Sequence, residues 1–197
     1  MILEEGNIYH IYNRGNNSQQ IFFKPDNYRY FLEKLRNCLL PHGDILAFAL
    51  MPNHFHFLIY ANSDSAKIVG NHPISRYAFN EGLRSLLSSY SQGINKQEKR
   101  TGSLFTQNTK FKCLSDSEDK DLYGLTCFHY IHQNPLEARL VTKLEDWPYS
   151  SFRDYVGLRK GTLCNQELSK KVLIVNFDDI YRESYQVLDP DIIKLIF

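Results

Sequence analysis

The sequence has no P-loop, no Rossmann glycine fingerprint and no Gly-x-Ser-x-Gly elbow, so the usual signatures of nucleotide hydrolysis and serine-hydrolase chemistry are missing. Its four cysteines, Cys38, Cys113, Cys127 and Cys164, form no Cys-x-x-Cys pair, which argues against a disulfide framework or a cysteine zinc site and for reduced thiols. No run approaches the ~18 apolar residues of a membrane-spanning helix. The start Met1-Ile2-Leu3-Glu4-Glu5 lacks the basic and apolar stretches of a secretory signal. These absences set the expectation of a cytoplasmic protein with no membrane partner. Excess charge is absent too, since 23 Lys and Arg face 22 Asp and Glu for a net +1.

The distribution of charge is less even. Arg84, Lys96, Lys99, Arg100, Lys110 and Lys112 are interrupted only by Glu98, and acidic residues gather just after, at Asp116, Glu118, Asp119 and Asp121. A basic stretch of this kind can bind phosphate in a neutral protein, and it can equally be ordinary solvated surface. With 43% hydrophobic and 14% aromatic residues the chain has ample material for one compact core, with or without an appended C-terminal segment.

Apolar periodicity orders the elements. Ile8 to Tyr12 alternates and reads as a strand, and Asn13 to Asn17 is a loop of turn formers. Pro25-Asp26 opens a helix whose Tyr28, Phe31, Leu32, Leu35, Cys38 and Leu39 recur at helical spacing. Ile45 to Leu50 and His54 to Tyr60 are strands whose short link favours a hairpin. A second helix spans Ile74 to about Asn95, a fourth strand lies near Phe111 to Leu114, and a third helix runs from Asp119 to about Asn134. The order β-α-β-β-α-β predicts an α+β, ferredoxin-like fold, with an antiparallel sheet and helices on one face. From Gly161 onward the chain reads as an amphipathic helical tail.

The run Met51-Pro52-Asn53-His54-Phe55-His56-Phe57 carries the chemistry. In a strand, His54 and His56 project to one face while Phe55 and Phe57 face a core. Two imidazoles converging on one spot can hold a divalent ion, although a pair at this spacing also fits ordinary strand residues. In Thr126 to Pro135, Tyr130 and Asn134 stand four residues apart and would share a helix face, unless Pro135 ends the helix at Asn134.

Together these motifs resemble the IS200-like transposases with a single catalytic tyrosine, of the HUH type, including those associated with repetitive extragenic palindromes (REPs). The segments Tyr9 to Asn17, Ser89 to Lys96, Gly102 to Phe105 and Asp146 to Phe152 agree with that pattern, and the resemblance covers roughly residues 6–160. It departs at Gln107-Asn108-Thr109-Lys110, where relatives carry an arginine. The resemblance implies a catalytic domain over 1–160 and a helical extension over 161–197. It implies a single-stranded DNA transposase acting on hairpin or palindromic ends, with Tyr130 as nucleophile and a 5′-phosphotyrosine intermediate. His54, His56 and Asn134 would hold Mg²⁺ or Mn²⁺. Arg14, Lys96, Lys99, Arg100, Lys110 and Lys112 are candidate DNA contacts. Related insertion-sequence enzymes are homodimers, whereas some palindrome-associated ones are monomers.

Two other readings fit the same residues. One is a hairpin-DNA-binding protein that has lost transposition. The other is a metal-dependent hydrolase in which His10, His54 and His56 form a three-histidine site. Beside these, Phe105 and Phe111 read as core, His10 as a packed or hydrogen-bonded side chain, and His129 and His132 as pointing away from Tyr130.

Overall fold

A computed structural model describes residues 2–70, 76–116 and 119–197. Strand β1 (Ile8–Arg14) leads to helix α1 (Pro25–Cys38), then β2 (Asp44–Met51) and β3 (His54–Tyr60). A small ribbon, β4 (Ile68–Val69) and β5 (Arg76–Tyr77), precedes α2 (Ala78–Gln97), β6 (Lys110–Cys113) and α3 (Lys120–Glu137). The remaining chain carries α4 (Phe152–Tyr155), α5 (Gln166–Val172), α6 (Ile180–Glu183) and α7 (Pro190–Leu195). Ile74 and Glu118, singled out above, lie outside the described residues.

The main sheet has the order β2-β3-β1-β6 and every neighbouring pair is antiparallel. Counting β6 as the fourth strand, this is the ferredoxin-like arrangement expected from the sequence. Only Pro52 and Asn53 separate β2 from β3, which fixes the register Met51↔His54, Ala49↔His56 and Phe48↔Phe57. Directly opposed residues share a face, so the alternation along β3 propagates across the sheet.

On one face Phe48, Phe55, Phe57 and Ile11 are buried beneath α1 and α2. Phe31 of α1 lies 5.6 Å from the Phe55 ring, and Tyr90 of α2 meets Phe31 edge-on at 4.8 Å. The Tyr90 hydroxyl donates to the Ile21 carbonyl at 2.8 Å, so this large aromatic buries its ring without stranding its polar end. Phe105 is buried here and Phe111 is half-buried against the same core, as anticipated.

The third helix covers the opposite face, where α3 crosses β2 and β3. Ala47, Ala49, Met51, His10 and Leu58 are all buried on that side, so β2, β3 and β1 have to be covered twice. The sheet is therefore sandwiched, with α1 and α2 on one side and α3 on the other.

The expected end of α3 near Asn134 is corrected. Pro135 does not end α3 at Asn134, because the helix continues to Glu137. Proline removes one backbone donor, and so near the helix terminus the loss is confined to the final turns. The tail is helical, as expected, and consists of three short helices. Left-handed Ile174 interrupts it after α5, and Pro190 restarts it as α7. Within that tail, Leu163, Leu173, Ile180 and Ile196 are buried in the same core as the sheet. Among the described residues no helix is long and apolar enough to cross a membrane.

Gly82 marks the close approach of α2 to the end of α1, since a Cβ there would lie 2.1 Å from the Cys38 carbonyl oxygen. Alanine ordinarily stabilises a helix interior by about 1 kcal/mol over glycine. Here the collision should reverse that sign. Gly82→Ala is expected to lose about 1–3 kcal/mol in urea unfolding, and an unchanged or raised stability would show that the two helices can separate freely.

Candidate active site

The register of β1 against β3 sets Tyr12 opposite His56 and Arg14 opposite His54, all on the face covered by α3. Strand β6 adds Lys110 opposite Tyr12 and Lys112 opposite His10 on that face. These strand ends open into a cavity of about 590 Å³ lined by His54, His56, Tyr130, Tyr12, Arg14 and Lys110, with Phe197 of the tail at its wall.

The two histidines are held from behind. His54 Nδ1 lies 2.7 Å from Asn53 Oδ1, and His56 Nδ1 lies 2.9 Å from His10 Nε2. Their rings stand 5.0 Å apart and nearly perpendicular. In both cases the protein engages Nδ1, which leaves Nε2 as the nitrogen available to a ligand. Burial lowers the pKa of His54, against a smaller upward effect of a hydrogen bond with Asn134. Burial, and next the adjoining His10 and His54, holds His56 well below the usual imidazole value. Both rings are therefore neutral near pH 7, the form in which imidazole binds a metal.

Helix α3 supplies the other half. Because it continues past Pro135, Tyr130 and Asn134 do share a face. The Tyr130 ring meets the His56 ring edge-on at 5.7 Å. Asn134 donates from Nδ2 to the Tyr130 carbonyl at 3.0 Å and is within hydrogen-bonding reach of the His54 and Tyr130 side chains. Burial raises the phenol pKa of Tyr130, Asn134 partly offsets this, and Cys127 and Tyr12 add smaller upward effects. A neutral phenol beside neutral imidazoles is a weak nucleophile and needs activation. Two imidazole nitrogens and an amide oxygen suit a divalent ion of intermediate hardness, so the donor set fits Mg²⁺ or Mn²⁺ as well as softer ions.

The three-histidine arrangement does not form. His10 Nε2 is taken by His56 and His10 Nδ1 lies 2.8 Å from the Ile196 carbonyl, so neither nitrogen is free for a metal. Among the described residues no group of three or more His, Cys, Asp or Glu side chains could hold a metal ion. His129 pairs with Ser184 and His132 with Ser151, both away from the cavity.

The basic residues divide. Arg14 and Lys110 line the cavity, and Lys112 lies farther along the same sheet face. Lys96 in the last turn of α2, and Lys99 and Arg100 just beyond that helix, do not line it; Arg100 reaches the Ser103 carbonyl at 3.4 Å. The loop that departs from the family pattern borders the site, with Gln107 and Asn108 in the cavity wall. Asn13 pins it, donating to Thr109 Oγ1 at 2.9 Å and accepting from Thr106 Oγ1 at 2.6 Å.

Three side chains at the site escaped the sequence reading. Asn53 sits in the histidine run itself, and its position beside His54 was a usable signal. Tyr12 could be placed only once the strand register was known. Phe197, whose ring lies 5.1 Å from His10, 5.1 Å from Tyr12 and 5.2 Å from Tyr130, arrives through tertiary packing of the tail.

No protein-family model matches the chain. A solved REP-associated tyrosine transposase bound to a REP hairpin superposes on 80% of this chain and 83% of its own, with a TM-score of 0.57 and 15% identity. The two chains share a fold. A heme-degrading monooxygenase from Listeria monocytogenes is 26% identical over 98 residues, which span 50% of this chain and 59% of that protein.

The buried imidazoles give stability a definite pH dependence. Burial depresses His10 and His129 to about 4, with the Ile196 carbonyl partly offsetting the effect at His10. In the unfolded chain each takes a proton near 6.5. Their contribution is thus complete above about pH 6.5 and is lost as the pH falls toward 4. Each should steepen the loss by up to about 1.4 kcal/mol per pH unit in that window. Urea unfolding from pH 7.5 to 4.5 measures this, and a flat profile would show that the rings are protonated in the folded state.

Proposed function

We propose that the protein is a metal-dependent, single-strand-specific DNA nuclease and strand transferase that acts on hairpin or palindromic ends through Tyr130. The observation that carries this reading is the meeting of Tyr130, His54 and His56 in one open cavity flanked by Arg14 and Lys110, with Asn134 one helical turn beyond Tyr130. The fold it shares with a transposase bound to a REP hairpin supports the choice of DNA as substrate.

In this mechanism the Tyr130 oxygen attacks the scissile phosphorus. The bond to the 3′ oxygen breaks, a 5′-phosphotyrosine forms, and the departing strand leaves as a 3′-hydroxyl. The attacking phenol gives up its proton and the leaving oxygen gains one, so the step is neutral overall. The phosphotyrosine keeps the energy of the phosphodiester, so a 3′-hydroxyl can reverse the step without ATP. That economy agrees with the missing P-loop. His54, His56 and Asn134 would hold a Mg²⁺ or Mn²⁺, which when bound polarises the phosphoryl oxygens and favours the phenolate. Arg14 and Lys110 neutralise the flanking phosphates. Asn134, bonded to the Tyr130 carbonyl and acting electrostatically on both His54 and Tyr130, would keep the phenol aligned with the histidine pair.

A protein that only binds hairpins would share the basic residues but not need Tyr130. Incubation with 5′- and 3′-labelled hairpin DNA and Mn²⁺ should yield a covalent adduct with the wild type. Tyr130→Phe should abolish the adduct, at least a 10³-fold loss as expected for removal of a nucleophile, while hairpin affinity changes less than twofold. An adduct surviving in Tyr130→Phe would remove the tyrosine mechanism, and no adduct with any hairpin tested would leave the binding protein.

A further inference from the structure

We infer that His10 is a positioning residue, one that fixes the tautomer of His56 through a hydrogen-bond relay ending on the backbone of the tail. The inference rests on the reading of His54 and His56 as metal ligands.

Proton bookkeeping carries the argument. The Ile196 carbonyl can only accept, so His10 Nδ1, 2.8 Å away, must bear a proton. His10 is fully buried and both its nitrogens are occupied, by a carbonyl and by another imidazole, neither of them a carboxylate whose negative charge would hold a cation there. A neutral His10 with its proton on Nδ1 has a lone pair on Nε2. That nitrogen lies 2.9 Å from His56 Nδ1, so the proton between them belongs to His56. His56 is then locked with Nδ1 protonated and Nε2 bare, the form that can donate an electron pair to a cation from Nε2.

The surroundings keep the relay dry. Tyr12 lies 4.8 Å from the His10 ring and Phe197 meets it edge-on at 5.1 Å, so water cannot compete for either nitrogen. His54 needs no such relay, because the Asn53 amide oxygen beside its Nδ1 serves as the acceptor directly. The two candidate ligands thus receive the same orientation by different means: His54 from its sequence neighbour, His56 from β1 and the chain just after α7. A ligand histidine whose second nitrogen is held in this way loses about 10–100-fold in metal affinity when the partner is removed.

Two variants separate the halves of the relay. In His10→Gln the side-chain oxygen reaches the His56 side and can still accept. In His10→Asn the shorter amide can serve the Ile196 carbonyl but leaves His56 Nδ1 without an acceptor. Long-range ¹H–¹⁵N spectra of the metal-free protein read the tautomer of His56 directly, and Mn²⁺ titration reads affinity. The inference expects Nδ1-protonated His56 in the wild type and in His10→Gln, mixed tautomers in His10→Asn, and a fall in Mn²⁺ affinity of 10-fold or more only in His10→Asn. An Nε2-protonated His56 in the wild type overturns it, and so does His10→Asn binding Mn²⁺ as tightly as the wild type. A wild type that shows the expected tautomer yet binds no Mn²⁺ overturns instead the metal reading on which the inference rests.

Discussion

Everything at the site depends on a sheet that is covered on both faces except where its strand ends open into the cavity. Along β3 the side chains alternate, and both directions lead into packed protein: Phe55 and Phe57 toward α1 and α2, His56 and Leu58 toward α3. A one-residue slip would put imidazoles into an aromatic core and phenylalanines into the cavity. The hydrophobic cost of that exchange makes the register, and hence the placement of both histidines, a by-product of folding. The polar face then needs only hydrogen-bond partners, and Asn53 and His10 supply them.

Helix α3 contributes its residues by a similarly economical route. It must cover Ala47 and Ala49, whose small side chains let a helix settle on β2. Tyr130 and Asn134 emerge from that packing one turn apart and aimed at the strand carrying His54 and His56. The helix's other histidines are used structurally. His132 is tied to Ser151, whose hydroxyl also donates to the Phe48 carbonyl, and so joins α3 to β2 and to the segment before α4.

Much of this was legible before any coordinates. The alternation in His54 to Phe57, the Pro25 start of α1 and the two-residue link between β2 and β3 are local signals, each set by backbone geometry. They suffice for the β2–β3 hairpin and for which way the histidines point. The sidedness of α3 was not legible, because it depends on β1 and β2 being apolar on both faces rather than on any pattern in α3 itself. Continuation through Pro135 stays open in the sequence for a related reason, since the preference of the residue before proline yields when tertiary packing holds the helix. The tail was the least readable part. Its amphipathicity is real, but it does not show the bends at Ile174 and before Pro190, and the arrival of Ile196 and Phe197 beside His10 depends on contacts with a residue more than a hundred positions away.

The link between β2 and β3 limits how this fold can change. Hairpin tips are ordinarily where a chain tolerates insertions. Here the Pro52 carbonyl accepts from the backbone of both Ile21 and Phe22, at 2.8 and 3.1 Å, and the Asn53 carbonyl from Gly15 at 2.7 Å. The tip is roofed by another loop, and lengthening it would lift that roof and pull Asn53 away from His54. The spacing from Met51 to His56 is therefore closed to insertion.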